Sequence, residues 1–397
     1  MMKLGLNRAE SSAASSLYTA AALVIGVALI GVATPASAGK IVVRPGDSIQ
    51  DAVDAASPGD KIVVFPGTYQ ETHGGAAAVR ITTDNLQLIG KSNLKKDIKV
   101  ILVPGPGNLD GILVKPNTGQ PDIQGYKIKG FTVQGFPNNG IKLKHVNDFK
   151  IIRNESIDNL ENGIQPELSA NGLVKQNLSY GSNDAALWVE GGENVRVLKN
   201  ITHSSPTGIE VTISNDLIIK KNESYNNSVG MGLYHPSAAS EPPLAGPMVN
   251  WKVQDNYIHD NNRANSAPPG SMAADLPSGG GILLMGVDQT TIKKNQVENN
   301  DFYGLAVIDY CLAVGGSAFD CNVVPPEVEP IPQGNRVERN SFVNNGTAPD
   351  PTHPLAPFAA DITYIILPGG PQTGNCFDKN TYTTYQAVLG FSPPACP

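Results

Sequence analysis

Charge is scarce in this chain, at 16% of residues, and aromatic side chains are scarcer, at 6% with only two tryptophans. No segment of ten or more residues repeats its apolar positions at helical spacing, so helical bundles and coiled coils are excluded as the main architecture. Long apolar runs are nearly absent too. Only LYTAAALVIGVALIGVA (17–33) approaches bilayer length. It follows Lys3 and Arg8 and precedes the small residues of ATPASA (33–38), the pattern of a secretory signal cleaved after Ala38. No other segment is expected to cross a membrane, so the mature chain is expected to be secreted or periplasmic. Cysteine is rare as well: Cys311, Cys321, Cys376 and Cys396 all fall in the last quarter, with no CxxC or Cys/His spacing that would suggest zinc. Export permits disulfides, and nearest-neighbour pairing (311–321 and 376–396) closes the shortest loops.

Net basic charge is also lacking. Without residues 1–38, which carry Lys3, Arg8 and Glu10, 27 basic side chains face 35 acidic ones, a net charge of −8. A chain of that sign is a poor general partner for nucleic acid. The charge is uneven, however: residues 80–155 hold twelve Lys or Arg against six Asp or Glu, a local basic surface suited to an anionic glycan.

What is abundant is turn chemistry, with 41 glycines and 31 prolines. The turns are periodic. IIRNESIDN (151–159) returns as LIIKKNESYNN (217–227), and Asn154, Asn177, Asn200 and Asn222 lie 23, 23 and 22 residues apart. Fourteen residues before each begins a short apolar strand: GIKL at 140, GIQP at 163, ALWV at 186 and GIEV at 208. The offset recurs for GILL at 281 and Asn295, and less regularly for GLYH (232–235) with Asn256 and GLAV (304–307) with Asn340. A fixed period in this range signals a repeat architecture. Alternation within each strand puts Ile141 and Leu143 inside and Lys142 and Lys144 outside. The expected fold is all-β: a coil in which each repeat makes one turn and each strand pairs in parallel with its copy in the next. The recurring Asn then stacks on itself as an internal ladder. For that reason the NxS/T sequences at 154, 177, 200 and 222 are not expected to be glycosylated, and Asn345 in NGT is the better acceptor.

Three stretches carry a family likeness. VRPGDSIQDAVDAASPGDKIVVFPGTYQE (43–71) resembles a strand–helix–strand cap, with Ser48 capping a helix whose Ile49, Val53 and Ala56 form one face. IKGFTVQGFPNNGIKL (128–143) resembles an early coil, and the Asn-marked repeat completes the set. Together, over roughly 41–345, the chain resembles the right-handed parallel β-helix proteins of the pectin-lyase-like superfamily. The resemblance implies a single-stranded right-handed parallel β-helix over 39–345, capped at about 41–70, followed by an irregular C-terminal region (346–397) stapled by Cys376–Cys396. It implies no single activity, because that fold hosts lyases, hydrolases, epimerases and adhesins. GLYHPS (232–237) has Tyr234 and His235 but lacks the Asp-Pro that mannuronan epimerases place before the His.

Candidate chemistry follows from the outward positions. One column reads Lys142, Gln165, Trp188, Glu210, and the next reads Lys144, Glu167, Glu190, Thr212, then Tyr234. Glu167 and Glu190 would be direct neighbours, with at least one pKa raised by repulsion unless a cation such as Ca2+ relieved it. Lys142, Lys144, Trp188 and Glu210, with Asp288 and Asp309, would bind a sugar chain. Insertions at 237–250, 263–280 and 309–333 are the expected walls of a groove over Tyr234, His235, Met285, Asp288 and Asp309, with His259, Asp260 and Arg263 at one rim. Tyr234, His235, His259 and Arg263 are the catalytic candidates. The expected function is binding of an extracellular polysaccharide, with lyase or epimerase action on a uronate-containing glycan. The alternative is a non-catalytic surface or periplasmic protein of the same fold, serving adhesion, assembly or maturation. Capped ends favour a monomer.

Overall fold

The computed structural model describes residues 38–93, 96–234, 248–314, 330–366, 373–392 and 394–397. The expected signal segment, apart from Ala38, lies outside them, as do His235 and Cys321.

Each turn of the coil gives one strand to each of three all-parallel sheets of 12, 10 and 11 strands. One turn runs Leu173–Lys175, Leu178–Tyr180, Ala185–Glu190, and these lie in the first, second and third sheets respectively. The next repeats it as Arg196–Leu198, Ile201–His203, Thr207–Thr212. The register matches the sequence period: Ile151 pairs with Val174, Val174 with Val197, and Val197 with Ile219. These four side chains are wholly buried in one axial file. A one-residue slip would turn the whole file to solvent, so burial fixes the register.

The corner between the first and second sheets holds the Asn ladder. Asn177 Oδ1 accepts the backbone N–H of Asn154 at 2.9 Å and its Nδ2 at 3.2 Å. Asn177 Nδ2 donates to the Ile151 carbonyl at 3.0 Å and to Asn200 Oδ1 at 2.9 Å. The pattern continues through Asn222, Asn256, Asn295 and Asn340 to Asn380. A second ladder, not foreseen from the sequence, lines the corner between the second and third sheets. It passes from Ser205 through Asn227, Asn261, Asn300 and Asn345 to Asp361. Asn345 is therefore not an accessible acceptor. Its Nδ2 donates to Val297 O and Asp361 Oδ1, and the residue is buried.

The N-terminal end is closed as expected. Ser48 Oγ accepts the Asp51 N–H and caps the helix Ile49–Asp54, whose Ile49 and Val53 enter the core. The coil continues beyond residue 345, with Ala360–Ile365 and Tyr385–Ala387 extending the third sheet and Cys376–Asp378 the first. The Cys376–Cys396 disulfide fastens the chain end to that last strand of the first sheet. Cys311 is also disulfide-bonded, its expected partner Cys321 being outside the described residues. No helix among the described residues is long and apolar enough to cross a membrane.

Candidate functional site

The outer face of the third sheet divides into two halves. The half nearer the C-terminus is apolar and covered. Leu283, Met285, Ala306 and Ile308 point outward yet are buried in a second core with Phe302 and Tyr303. Leu276, Tyr310 and Leu312, from the insertions, and Leu355 and Phe358 pack onto it. The described parts of the insertions thus roof this stretch instead of walling an open groove, because alternate outward positions there are apolar and gain by burial.

The other half is polar. Its register is the one read from the sequence: Lys142 pairs with Gln165, Glu167 with Glu190, Trp188 with Glu210, Glu190 with Thr212, and Thr212 with Tyr234. Lys142 Nζ lies 3.0 Å from Glu167 Oε2, and Lys144 holds Glu167 Oε1. Burial pushes the Glu167 carboxyl up, but the two lysines outweigh it and hold the group below the usual carboxylate range. Glu190, one strand on, has no lysine of its own. Gln165 Nε2 donates to its Oε2 at 3.0 Å, while Oε1 has no partner. Burial, then repulsion from Glu167, raise its pKa to about 7.

Glu210 is diagonal to Glu190. Burial, then the charges of Asp184 and Glu190, push its carboxyl well above the usual carboxylate range. Asp184, which the sequence reading passed over, is itself raised to about 6 by burial and by Glu161. Tyr234 folds back over Gly232, which pairs with Glu210. A Cβ at Gly232 would meet the Tyr234 hydroxyl at 2.1 Å. Burial, Glu210 and Tyr303 raise the Tyr234 phenol well above its ordinary pKa, and neither phenol has a hydrogen-bond partner. Trp188 is half-buried beside these groups, its indole N–H donating to Thr212 Oγ1 at 2.9 Å.

Tyr234, Glu190, Glu210, Glu167, Trp188, Lys142 and Lys144 thus come together. The other expected residues do not join them. His259 stands on the second sheet, stacked between Tyr225 and Tyr257 at centroid distances of 5.3 and 4.0 Å, with Asp260 Oδ2 2.7 Å from its Nδ1. Arg263 is exposed after that strand, its N–H donating to Asn227 O. Asp309 is fully buried and accepts the Leu312 N–H at 2.8 Å, capping the short helix Tyr310–Val314. Asp288 is buried and accepts the Gln333 N–H at 2.7 Å. Their carboxylates satisfy backbone at insertion entrances, a role that strand spacing cannot signal. His235 lies outside the described residues. The Glu167–Glu190 pair does not fit a calcium ion: both Glu167 oxygens are engaged by ammonium groups. Among the described residues no group of three or more His, Cys, Asp or Glu is placed to hold a metal.

No curated protein matches the chain in sequence. Among solved structures it is similar to the A-module of mannuronan C-5 epimerase AlgE4 of Azotobacter vinelandii, at TM-score 0.59 and 13% identity, covering 87% of this chain and 92% of that one. It is also similar to the AlgE6 A-module of the same organism, at TM-score 0.55 and 15% identity, covering 88% and 93%. At such identities the likeness is one of fold. The family described as the right-handed beta helix region matches residues 110–324, more than half of the sequence. With three parallel sheets wound by one repeating coil, the chain belongs to that right-handed β-helix family.

Proposed function

We propose that this protein is exported and modifies a uronate-containing polysaccharide by proton transfer, as a lyase or an epimerase, on the polar outer face of the third sheet. The observation that carries the reading is a pair of buried, outward-pointing carboxyls beside the lysine-held Glu167: Glu190, with a pKa of about 7, and Glu210, pushed well above the usual carboxylate range. Groups with separated pKa values supply a base and an acid at one pH. Two lysines against one Glu167 leave a positive charge in excess, which neutralises the sugar carboxylate and acidifies the adjacent C–H. Glu190 takes that proton. In elimination, the electron pair forms the C4–C5 double bond, the C4–O4 bond breaks, and Glu210 or Tyr234 protonates the leaving oxygen. In epimerisation, the same acid returns a proton to the opposite face of the carbon. Trp188 offers a flat apolar surface for a neighbouring ring.

The test is incubation of the full mature chain with a panel of uronate polymers, following ultraviolet absorbance of the unsaturated product and proton NMR of the polymer. Activity abolished in Glu190→Gln and reduced in Tyr234→Phe is expected. No change in any polymer by either method would overturn the proposal. A second, non-catalytic reading draws on the covered apolar half of the same sheet, since a self-covered face suits a structural or adhesive rod.

A further inference from the structure

One corner of the coil is filled against conformational preference. Between the first and second sheets, the residue just before each ladder Asn adopts a left-handed conformation, with φ between +52° and +58° from residue 153 to residue 379. Such positions favour Gly, Asn and Asp. The corner after the second sheet largely obeys this, with Asp158, Gly181, Asn226, Asp260, Asn299 and Asn344 in the equivalent place and Ser204 the one departure. At the first corner, six of eight coils instead carry a cation: Arg153, Lys199, Lys221, Lys294, Arg339 and Lys379. The exceptions are Gln176 and Asp255. All six cations are exposed. Among the described residues the first five make no ion pair with a carboxylate, while Lys379 meets Asp378. Backbone bonds place them coil above coil, as in Lys199 N to Lys220 O and Lys294 N to Glu338 O. Lys129 and Lys175 flank the file on the first sheet, while Glu338 and Asp378 stand beside its last two cations.

The geometry points to this corner as an axial binding track for an anionic linear polysaccharide, separate from the third-sheet site. Five of these cations stand at left-handed positions of a net acidic chain without a carboxylate partner among the described residues, Arg153 donating only to Gln176 Oε1. An extended polyanion gathers them in one line. The coil rise of about 4.8 Å is close to the length of one sugar unit, so successive ring carboxylates come into step with the cations of six coils and pass over those of Gln176 and Asp255. Phosphates about 3.4 Å apart along a nucleic-acid strand fall out of step with that rise.

The proposal does not depend on the third-sheet chemistry, and the test keeps them apart. The full mature chain is run in native gels containing polymannuronate, neutral dextran or duplex DNA, at several salt concentrations. The variant is Lys199→Asn/Lys221→Asn/Lys294→Asn, because Asn suits the left-handed backbone and removes the charge. Expected are retardation of the parent by polymannuronate and not by dextran, and a salt slope shallower by about three in the variant, one per lysine. The variant should melt no lower than the parent. Unchanged retardation of the variant, no retardation of the parent at low salt, or equal retardation by duplex DNA would each overturn the proposal. Glu190→Gln should be retarded like the parent, so a failed catalytic reading would leave this result standing.

Discussion

Replacing Asn177 by Leu tests the ladder at its centre. The leucine fills a similar volume but removes four hydrogen bonds. The Asn154 N–H and the Ile151 carbonyl lose their partners at 2.9 and 3.0 Å, and Asn154 Nδ2 and Asn200 Oδ1 lose contacts at 3.2 and 2.9 Å. Asn200 Oδ1 keeps the Asn177 backbone N–H at 3.0 Å, so it is not orphaned. Asn154 Nδ2 keeps only a long contact to Ile128 O at 3.5 Å. Two buried backbone groups and most of one amide are thus left unsatisfied, at about 1–3 kcal/mol each. The added apolar burial returns about 1–2 kcal/mol. A net loss of about 3–5 kcal/mol is expected, read by guanidinium unfolding followed by circular dichroism. Asn177→Asp, which keeps an acceptor for Asn154 but sets a buried carboxylate oxygen against the Ile151 carbonyl and Asn200 Oδ1, should lose at least as much. Because each coil contacts only its neighbours, the loss should appear first in the coils around residue 177, as early hydrogen exchange of 150–205. A loss below about 1 kcal/mol, or exchange spread evenly along the chain, would refute the ladder as a load carrier.

Three further outcomes follow from the site and its neighbours. Glu190 has its pKa raised from 4.5 to about 7, so its contribution to stability is full below pH 4.5 and is lost as pH climbs through 7. Glu190→Gln should therefore melt above the parent at pH 8, by a margin of about 3 kcal/mol that closes towards pH 4.5; a pH-independent margin would be wrong for this cause. Gly232→Ala drives a methyl group into the Tyr234 hydroxyl at 2.1 Å, so the phenol must leave Glu210, at a cost of about 1–3 kcal/mol. Spectrophotometric titration should then show one late-titrating tyrosine moving towards 10, and an unchanged titration would contradict the placement. Asn345 should remain unmodified in a glycosylating host, as judged by intact mass, because its amide is buried between Val297 and Asp361.

The columns of the third sheet were legible because a strand alternates and a coil repeats. Lys142, Gln165, Trp188 and Glu210 fall into file once a 22–23 residue offset is known, and so do Glu167 and Glu190. Asp184 and Thr207 were not legible, for a local reason. Gly208 and Ile209 both face the interior: a Cβ at Gly208 would meet Ser224 Oγ and Asn227 Nδ2. Two inward residues in succession break the alternation, and Thr207 is thereby turned out beside Glu210. Counting by twos loses the strand start. The second ladder was hidden differently, since serine stands in its file at 182 and 205 and the Asn period is visible only from 227 onward. Missing it made Asn345 look like a surface residue.

The same slip bears on where chemistry can reside. In the strands Thr207–Thr212 and Val229–Tyr234, a small residue sits where the backbone doubles its inward facing, at Gly208 and Gly230. The residue before it then joins the outer face, giving three outward files where strict alternation allows two. Ala185, Thr207, Val229, Gly280 and Tyr303 form that third file. It brings the Tyr303 phenol over Gly280 and towards Tyr234, and it flanks Glu210 on the side away from Glu190. Thr207 of that file stands beside Glu210, whose carboxyl is pushed up by burial and then by the charges of Asp184 and Glu190. Substituting Thr207 by Asp, which adds a charge to that file without touching the column of Glu190, should raise the Glu210 carboxyl further and leave the Glu167–lysine cluster as it is. Carboxyl resonances followed by NMR across pH would separate the two, and equal shifts at Glu167 and Glu210 would show that the files are not independent.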